Sequence, residues 1–245
     1  MVDDPGRSDR QVDAVLLDVG GVFTLPDPAV LLPVVRAAGA TRATAEGLAR
    51  GHYAGIAAMD ASALAKGVTA DWPAYHAALT AELHVPDAAV ADVRAALSRA
   101  YVGLPWSWPV PGALDALRRL AATGVALVIV SNSDGTVEEL LVTLGICQVG
   151  VGAGVTVDAV FDSHRVGVEK PDPAIFHRAL EEIGVAPARA LHVGDTGWAD
   201  IAGARAAGVR PVHLDPFGFC PIPDDHEHIR HLDGVIALVS GPARA

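Results

Sequence analysis

The 245-residue sequence predicts an α/β fold: a doubly wound parallel sheet with helices on both faces and a helical insertion after the first strand. Three observations carry that expectation. Short apolar runs each stop at a polar residue, amphipathic stretches closing at glycine lie between them, and one long Ala-rich stretch has helical spacing without a strand run.

The apolar runs are Val12 to Leu17 before Asp18, Val125 to Val130 before Ser131, Ala190 to Val193 before Gly194-Asp195, and Pro211 to Leu214 before Asp215. Unbroken runs of this length suit strands buried on both faces. Ala159 to Asp162 is a weaker fifth strand. A helix opens at Pro111-Gly112, carries Leu114, Leu117 and Leu120, and closes at Gly124; others close at Gly145, Gly184 and Gly208. Each of these glycines precedes Val or Ile, as when a left-handed helix cap turns the chain toward a strand. Pro28 to about Val102 breaks this rhythm, with helical spacing in Leu31, Val34 and Val35, in Leu79 and Leu83, and in Val90, Val93 and Leu97. It is closed by Leu104-Pro105-Trp106-Ser107-Trp108-Pro109. The expected division is an α/β core over 1–25 and 106–245 and a helical insertion over 26–105.

Composition narrows the function classes. The chain is 51% hydrophobic and 19% charged, enough to bury roughly 70 to 75% of its surface. Eighteen basic against 29 acidic side chains give −11, a field that repels nucleic-acid phosphates and anionic lipid, so neither is expected as a partner. Cys147 and Cys220 are too few for a disulfide framework or a four-thiolate zinc site. The acidic start Met1-Val2-Asp3-Asp4-Pro5 has no cationic segment leading into an apolar stretch, as a secretory signal would. The uncharged run Leu140 to Val157 holds Gly145, Gly150, Gly152 and Gly154 and reads as a helix end plus loop, not a membrane span. A soluble cytoplasmic protein is the expectation.

In an open parallel sheet the ligand crevice lies beyond the carboxyl ends of the strands, where Asp18, Ser131 and Asp195 would emerge. Leu16-Leu17-Asp18-Val19-Gly20-Gly21-Val22 resembles the first motif of the haloacid dehalogenase superfamily, a strand followed by DxDx[TV]. Val128-Ile129-Val130-Ser131-Asn132 is similar to its second motif and Val168-Glu169-Lys170-Pro171-Asp172-Pro173 to its third. His192-Val193-Gly194-Asp195-Thr196-Gly197-Trp198-Ala199-Asp200 is similar to its fourth, GDxxxxD. The order agrees across nearly the whole chain, and the insertion falls where this superfamily often carries a cap over the site.

The resemblance implies a Mg²⁺-dependent phosphatase acting on a small phosphorylated metabolite, with Asp18 as the nucleophile that forms an aspartyl-phosphate. Mg²⁺ would be seated by Asp18, Asp195 and the Gly20 carbonyl, with Asp200 holding it through water or supporting the loop. Lys170 and the Ser131 hydroxyl would counter the phosphoryl charge. Asn132 either bonds the ligand or forms the turn.

One position departs from the pattern. Where the family's phosphatases usually place a second aspartate, a proton donor and then general base worth about 10²- to 10⁴-fold in rate, this chain has Gly20. Either the leaving group is intrinsically good, or another side chain substitutes (His52, Tyr53 and Asp27 are candidates), or turnover is lost. A 2-haloacid dehalogenase tolerates Gly20 because halide leaves without a proton, and Arg36 would be its halide ligand or an exposed helix arginine. A non-catalytic phosphate- or partner-binding module is the third alternative. Asp224-Asp225-His226-Glu227-His228-Ile229-Arg230-His231 is rich in metal-ligand types but matches no standard zinc spacing, and reads as a solvated loop. Gly150-Val151-Gly152-Ala153-Gly154 lacks the rest of a phosphate-loop motif.

Overall fold

A computed structural model describes residues 11–67, 70–103, 106–222 and 226–240. The acidic start Met1–Pro5, the Leu104-Pro105 edge of the insertion and Asp224-Asp225 lie outside the described residues. The chain begins with β1 (Ala14–Leu17) and a short β2 (Thr24–Leu25), followed by α1 (Pro28–Ala37), α2 (Ala45–Lys66), α3 (Trp72–Glu82) and α4 (Val90–Ala100). Then come β3 (Trp108–Pro109), α5 (Ala113–Ala121), β4 (Ala126–Ser131), α6 (Val137–Thr143), β5 (Cys147–Val149), β6 (Val155–Val157) and β7 (Ala159–Asp162). The last part holds α7 (Ser163–Val166), α8 (Pro173–Ile183), β8 (Ala190–Gly194), a π-helical turn over Gly197–Ala202, α9 (Gly203–Ala206), β9 (Arg210–Leu214), β10 (Glu227–Ile229) and α10 (Gly234–Ser240).

Six strands form one parallel sheet in the order β10-β9-β8-β1-β4-β7. Successive side chains of a strand point to opposite faces, so Val15, Leu17, Leu127 and Ile129 enter one apolar cluster and Leu16, Val128 and Val130 the other. Both faces are therefore buried, which is why these strands read as unbroken apolar runs. Gly124, Gly145, Gly184 and Gly208 all have positive φ, as the glycine-before-Val/Ile pattern predicts.

Three of the four inserted α-helices start at side-chain caps: Asp27 accepts from Ala29 N, Thr44 from Gly47 N and Asp71 from Ala74 N. Leu31, Val35, Leu48, Tyr75, Leu79 and Leu97 pack into a third apolar cluster of their own. Among the described residues no helix is long and apolar enough to cross a membrane.

Two stretches differ from the sequence reading. The Leu140–Val157 run contains the end of α6 and also β5 and β6, which pair with each other. Its glycine loop closes on Gln148, whose side chain accepts from Gly154 N at 2.8 Å and donates to Gly150 and Gly154 carbonyls. The segment read as a solvated loop carries β10 at its centre, paired in parallel with β9. An edge strand has one neighbour, and only Ile229 of β10 is buried, so no apolar run announces it.

Candidate active site

β8, β1 and β4 are adjacent and parallel, with Leu17 level with Val193 on one side and Ile129 on the other. Their carboxyl ends share one edge, so Asp18, Ser131 and Asp195 emerge together. All three are buried. One carboxylate oxygen from each of Asp18, Asp195 and Asp200 lies within 4.8 Å of the other two. Lys170, from the turn before α8, reaches into this group: its Nζ is 2.8 Å from Asp18 Oδ1 and 2.6 Å from Asp200 Oδ1.

Asp195 follows β8 directly and precedes the π-helical turn, the arrangement that lets it meet Asp200 despite their five-residue separation. Asp200 is closely partnered. Its Oδ1 accepts from Lys170 and from His192 Nε2 at 2.8 Å; its Oδ2 accepts from Thr196 N at 3.0 Å and Thr196 Oγ1 at 2.5 Å. Asn132 clasps the Lys170 main chain, donating to its carbonyl at 2.9 Å and accepting from its N–H at 2.8 Å. Of the two roles expected for Asn132, shaping the turn matches these bonds, and it does so by fixing the lysine.

One buried ammonium faces three buried carboxylates. Burial, with Asp200 and Asp195 adding to it, pushes Asp18 up to about 6 against the pull of Lys170. Burial and then Asp200 raise Asp195 well above the ordinary carboxylate range. Burial also works against Asp200, but Lys170 and the His192 bond outweigh it and hold Asp200 below that range. Burial disfavours the Lys170 ammonium too, yet Asp18 and Asp200 win and keep it charged. Desolvation thus outweighs the lysine's pull at both Asp18 and Asp195. An all-oxygen donor set of this kind fits a hard divalent cation such as Mg²⁺.

The glycines beside the acids give them room. A Cβ on Gly21, whose φ is +67°, would lie 2.0 Å from Asp195 Oδ2, and one on Gly194 would lie 2.1 Å from Asp200 Cγ. Gly20 is different: its Cβ would meet only the Trp106 indole, at 3.6 Å, an ordinary contact. The missing acid therefore leaves a position bounded by a tryptophan.

α2 touches this edge repeatedly. His52 Nε2 lies 3.1 Å from Asp195 Oδ2 and its Nδ1 2.8 Å from the Tyr75 hydroxyl. Burial lowers His52 to about 3, so the imidazole is neutral and the Asp195 contact is a hydrogen bond, not an ion pair. Tyr53 donates to the Gly21 carbonyl at 2.6 Å. Asp60 accepts from Gly197 N at 2.7 Å and Trp198 N at 2.9 Å, joining α2 to the π-helical turn.

Asp27, the third candidate for the absent acid, instead caps α1 and accepts from Ser107 Oγ at 3.0 Å. Arg36, weighed as a halide ligand, places Nε and Nη2 on the Ala43 carbonyl at 3.1 and 2.6 Å. Sequence reasoning missed Asp60, His192 and Thr196. Asp60 and His192 had a visible signal, a polar side chain inside an apolar helix or strand; Thr196 had none beyond its place in the fourth motif.

A model of haloacid dehalogenase-like hydrolases matches residues 12–208. The chain belongs to that family. A haloacid dehalogenase-like hydrolase domain-containing protein 3 of Bos taurus is 38% identical over 129 residues, 50% of this chain and 49% of its own. The phosphoserine phosphatase of Thermus thermophilus is 48% identical over 67 residues, 27% of each chain. This chain thus spans about half the length, or less, of these curated relatives. Among solved structures, a HAD hydrolase of Bacillus subtilis bound to magnesium superposes with a TM-score of 0.58, at 21% identity, over 94% of this chain and 99% of its own. The L-2-haloacid dehalogenase of Xanthobacter autotrophicus gives 0.53, at 22% identity, over 95% and 100%. At such identities the superpositions establish the fold, and the family places the chain among hydrolases.

Proposed function

We propose that this hydrolase is a Mg²⁺-dependent phosphatase of small phosphorylated metabolites, with an α/β core over 1–25 and 106–245 and a helical cap over 26–105. The observation that carries the reading is the meeting of Asp18, Asp195, Asp200 and Lys170 at one sheet edge. Asp18, Asp195 and the Gly20 carbonyl would hold the cation, which when bound supplies positive charge to the phosphoryl oxygens. Asp200 acts chiefly by fixing Lys170 and the Thr196 loop, since both its oxygens already accept bonds.

In the first step an Asp18 oxygen attacks phosphorus, an Asp18 O–P bond forms, and the ester P–O bond breaks with its electron pair leaving on the substrate oxygen. Lys170 and the Ser131 hydroxyl meet the charge on the phosphoryl oxygens. In the second step water attacks phosphorus, the Asp18 O–P bond breaks with its electron pair returning to the carboxylate, and inorganic phosphate leaves carrying the water's protons. Gly20 has no proton to offer the departing oxygen. We therefore assign the best substrates to those with good leaving groups, acyl phosphates and sugar 1-phosphates, which need little proton transfer.

The test is inorganic phosphate release from a panel spanning acyl phosphates, sugar 1-phosphates and plain alkyl phosphates, with Mg²⁺ and with EDTA. Release that falls along that order and disappears with EDTA is the expected result. Metal-independent chloride release from 2-haloacids would replace this reading with a dehalogenase. Equal background from wild type and Asp18→Asn, both folded, would leave a binding module.

A further inference from the structure

A second group of metal-ligand side chains lies at the β9–β10 rim of the sheet, beside the acidic cluster. His213 sits on β9, Cys220 ends the turn after it, and His226 and His228 lie at and in β10. One ligand atom from each of the four lies within 4.8 Å of the other three. The β9–β10 register makes His213 and His228 direct neighbours, which the sequence spacing alone does not reveal. All four residues fall beyond the stretch matched by the family model, which ends at 208.

We propose that His213, Cys220, His226 and His228 form a structural zinc site, separate from the acidic cluster. Bond lengths of about 2.0–2.1 Å to nitrogen and 2.3 Å to sulfur put tetrahedral ligands about 3.3 Å apart for two nitrogens and about 3.6 Å apart for nitrogen and sulfur. His213 Nδ1 and His226 Nε2 are 3.1 Å apart, and Cys220 Sγ and His226 Nε2 are 3.7 Å apart. The imidazoles lie close together, with centroids 4.4 Å apart for the tilted His226–His228 pair and 5.3 Å for the stacked His213–His226 pair.

The surroundings fit ligation. The Nε2–H of buried His213 donates to the Asp195 carbonyl at 3.0 Å, which leaves Nδ1 unprotonated and aimed at the cluster. Asp215 accepts from Gly218, Phe219 and Cys220 N–H groups at 2.9, 2.9 and 3.0 Å, shaping the turn that presents the sulfur. It also faces His228 Nδ1 at 3.8 Å and would offset the charge left by Zn²⁺ with one thiolate. Nitrogen and sulfur donors favour zinc over the magnesium suited to the acidic cluster, and four protein ligands make a closed, structural site. Through the His213–Asp195 bond, the ion would steady the loop that carries Asp195.

The experiment is zinc titration of the chelator-stripped full chain against a competing indicator, with bound zinc counted by mass spectrometry and Co²⁺ as a spectroscopic substitute. Wild type is expected to retain one zinc equivalent and, with cobalt, to show tetrahedral bands and a thiolate charge-transfer band. Cys220→Ser should lose the charge-transfer band and weaken zinc at least tenfold, and adding His226→Ala should abolish binding, while Asp18→Asn keeps both. Zinc binding unchanged by the Cys220 and His226 substitutions, or lost only with Asp18→Asn, would overturn the proposal. Should the variants fail to fold, alkylation of Cys220 in wild type decides: zinc is expected to slow it, and equal labelling with and without zinc contradicts the site.

Discussion

The acidic cluster at the middle of the sheet and the imidazole–thiol cluster at its rim differ in donors, in burial and in how the chain assembles them. In the first, three buried carboxylates and a lysine gather from segments that each follow a strand or open a helix. In the second, the ligands come from an inner strand, a turn and an exposed edge strand, and only His213 is buried. Oxygen donors suit a hard cation that must accept a substrate; nitrogen and sulfur donors suit an ion that only holds the fold. Asp195 belongs to both regions, its carboxylate to one and its carbonyl to the other.

The largest expected effect separates them at the centre. Lys170→Met leaves Asp18 and Asp200 buried without their ammonium, which should cost about 3–5 kcal/mol in denaturant unfolding and abolish phosphate release. Zinc retention in the folded fraction should be unaffected. Gly20→Asp sharpens the account of the missing acid. A Cβ fits beside Trp106, so the substitution should raise kcat/KM, which reports the leaving-group step, by roughly 10²-fold for alkyl phosphates and scarcely change it for acyl phosphates. No gain for alkyl phosphates would show that proton transfer is not what Gly20 forfeits.

Asp60→Ala removes the carboxylate that joins α2 to the site. It leaves the Gly197 and Trp198 N–H groups without that partner, a loss of about 1–3 kcal/mol readable as a lower Tm. At the rim the expected effect is smallest. Burial alone would raise Asp215, but the Phe219, Cys220 and Gly218 N–H groups outweigh it and hold it low. A depressed carboxylate contributes stability above its unfolded pKa, near 4, and loses it as pH falls through the lower folded value. The Tm gap between wild type and Asp215→Asn in metal-free protein should therefore narrow below about pH 4.

The same contrast explains what the sequence made legible. Strands buried on both faces write continuous apolar runs, and the residues just after them are easily located; Asp18, Ser131 and Asp195 were read that way, and Lys170 from the Lys-Pro-Asp-Pro run that resembles the third family motif. Glycines at 124, 145, 184 and 208 marked helix ends because a left-handed cap constrains residue type. β10 was invisible because an exposed edge strand of Glu227, His228 and Ile229 buries one side chain. The docking of Asp60 and His52 onto the site was not legible because their partners, Gly197, Trp198 and Asp195, lie more than 130 positions along the chain. Such docking is decided by tertiary packing, which local periodicity does not record.

The central claim is that Asp18 is a nucleophile, and rapid acid quenching of wild type mixed with Mg²⁺ and an acyl phosphate tests it directly. Mass mapping should find one phosphoryl group on the Asp18 peptide within the first turnover, and none in Asp18→Asn. Phosphate release at full rate with that peptide never modified would contradict the mechanism.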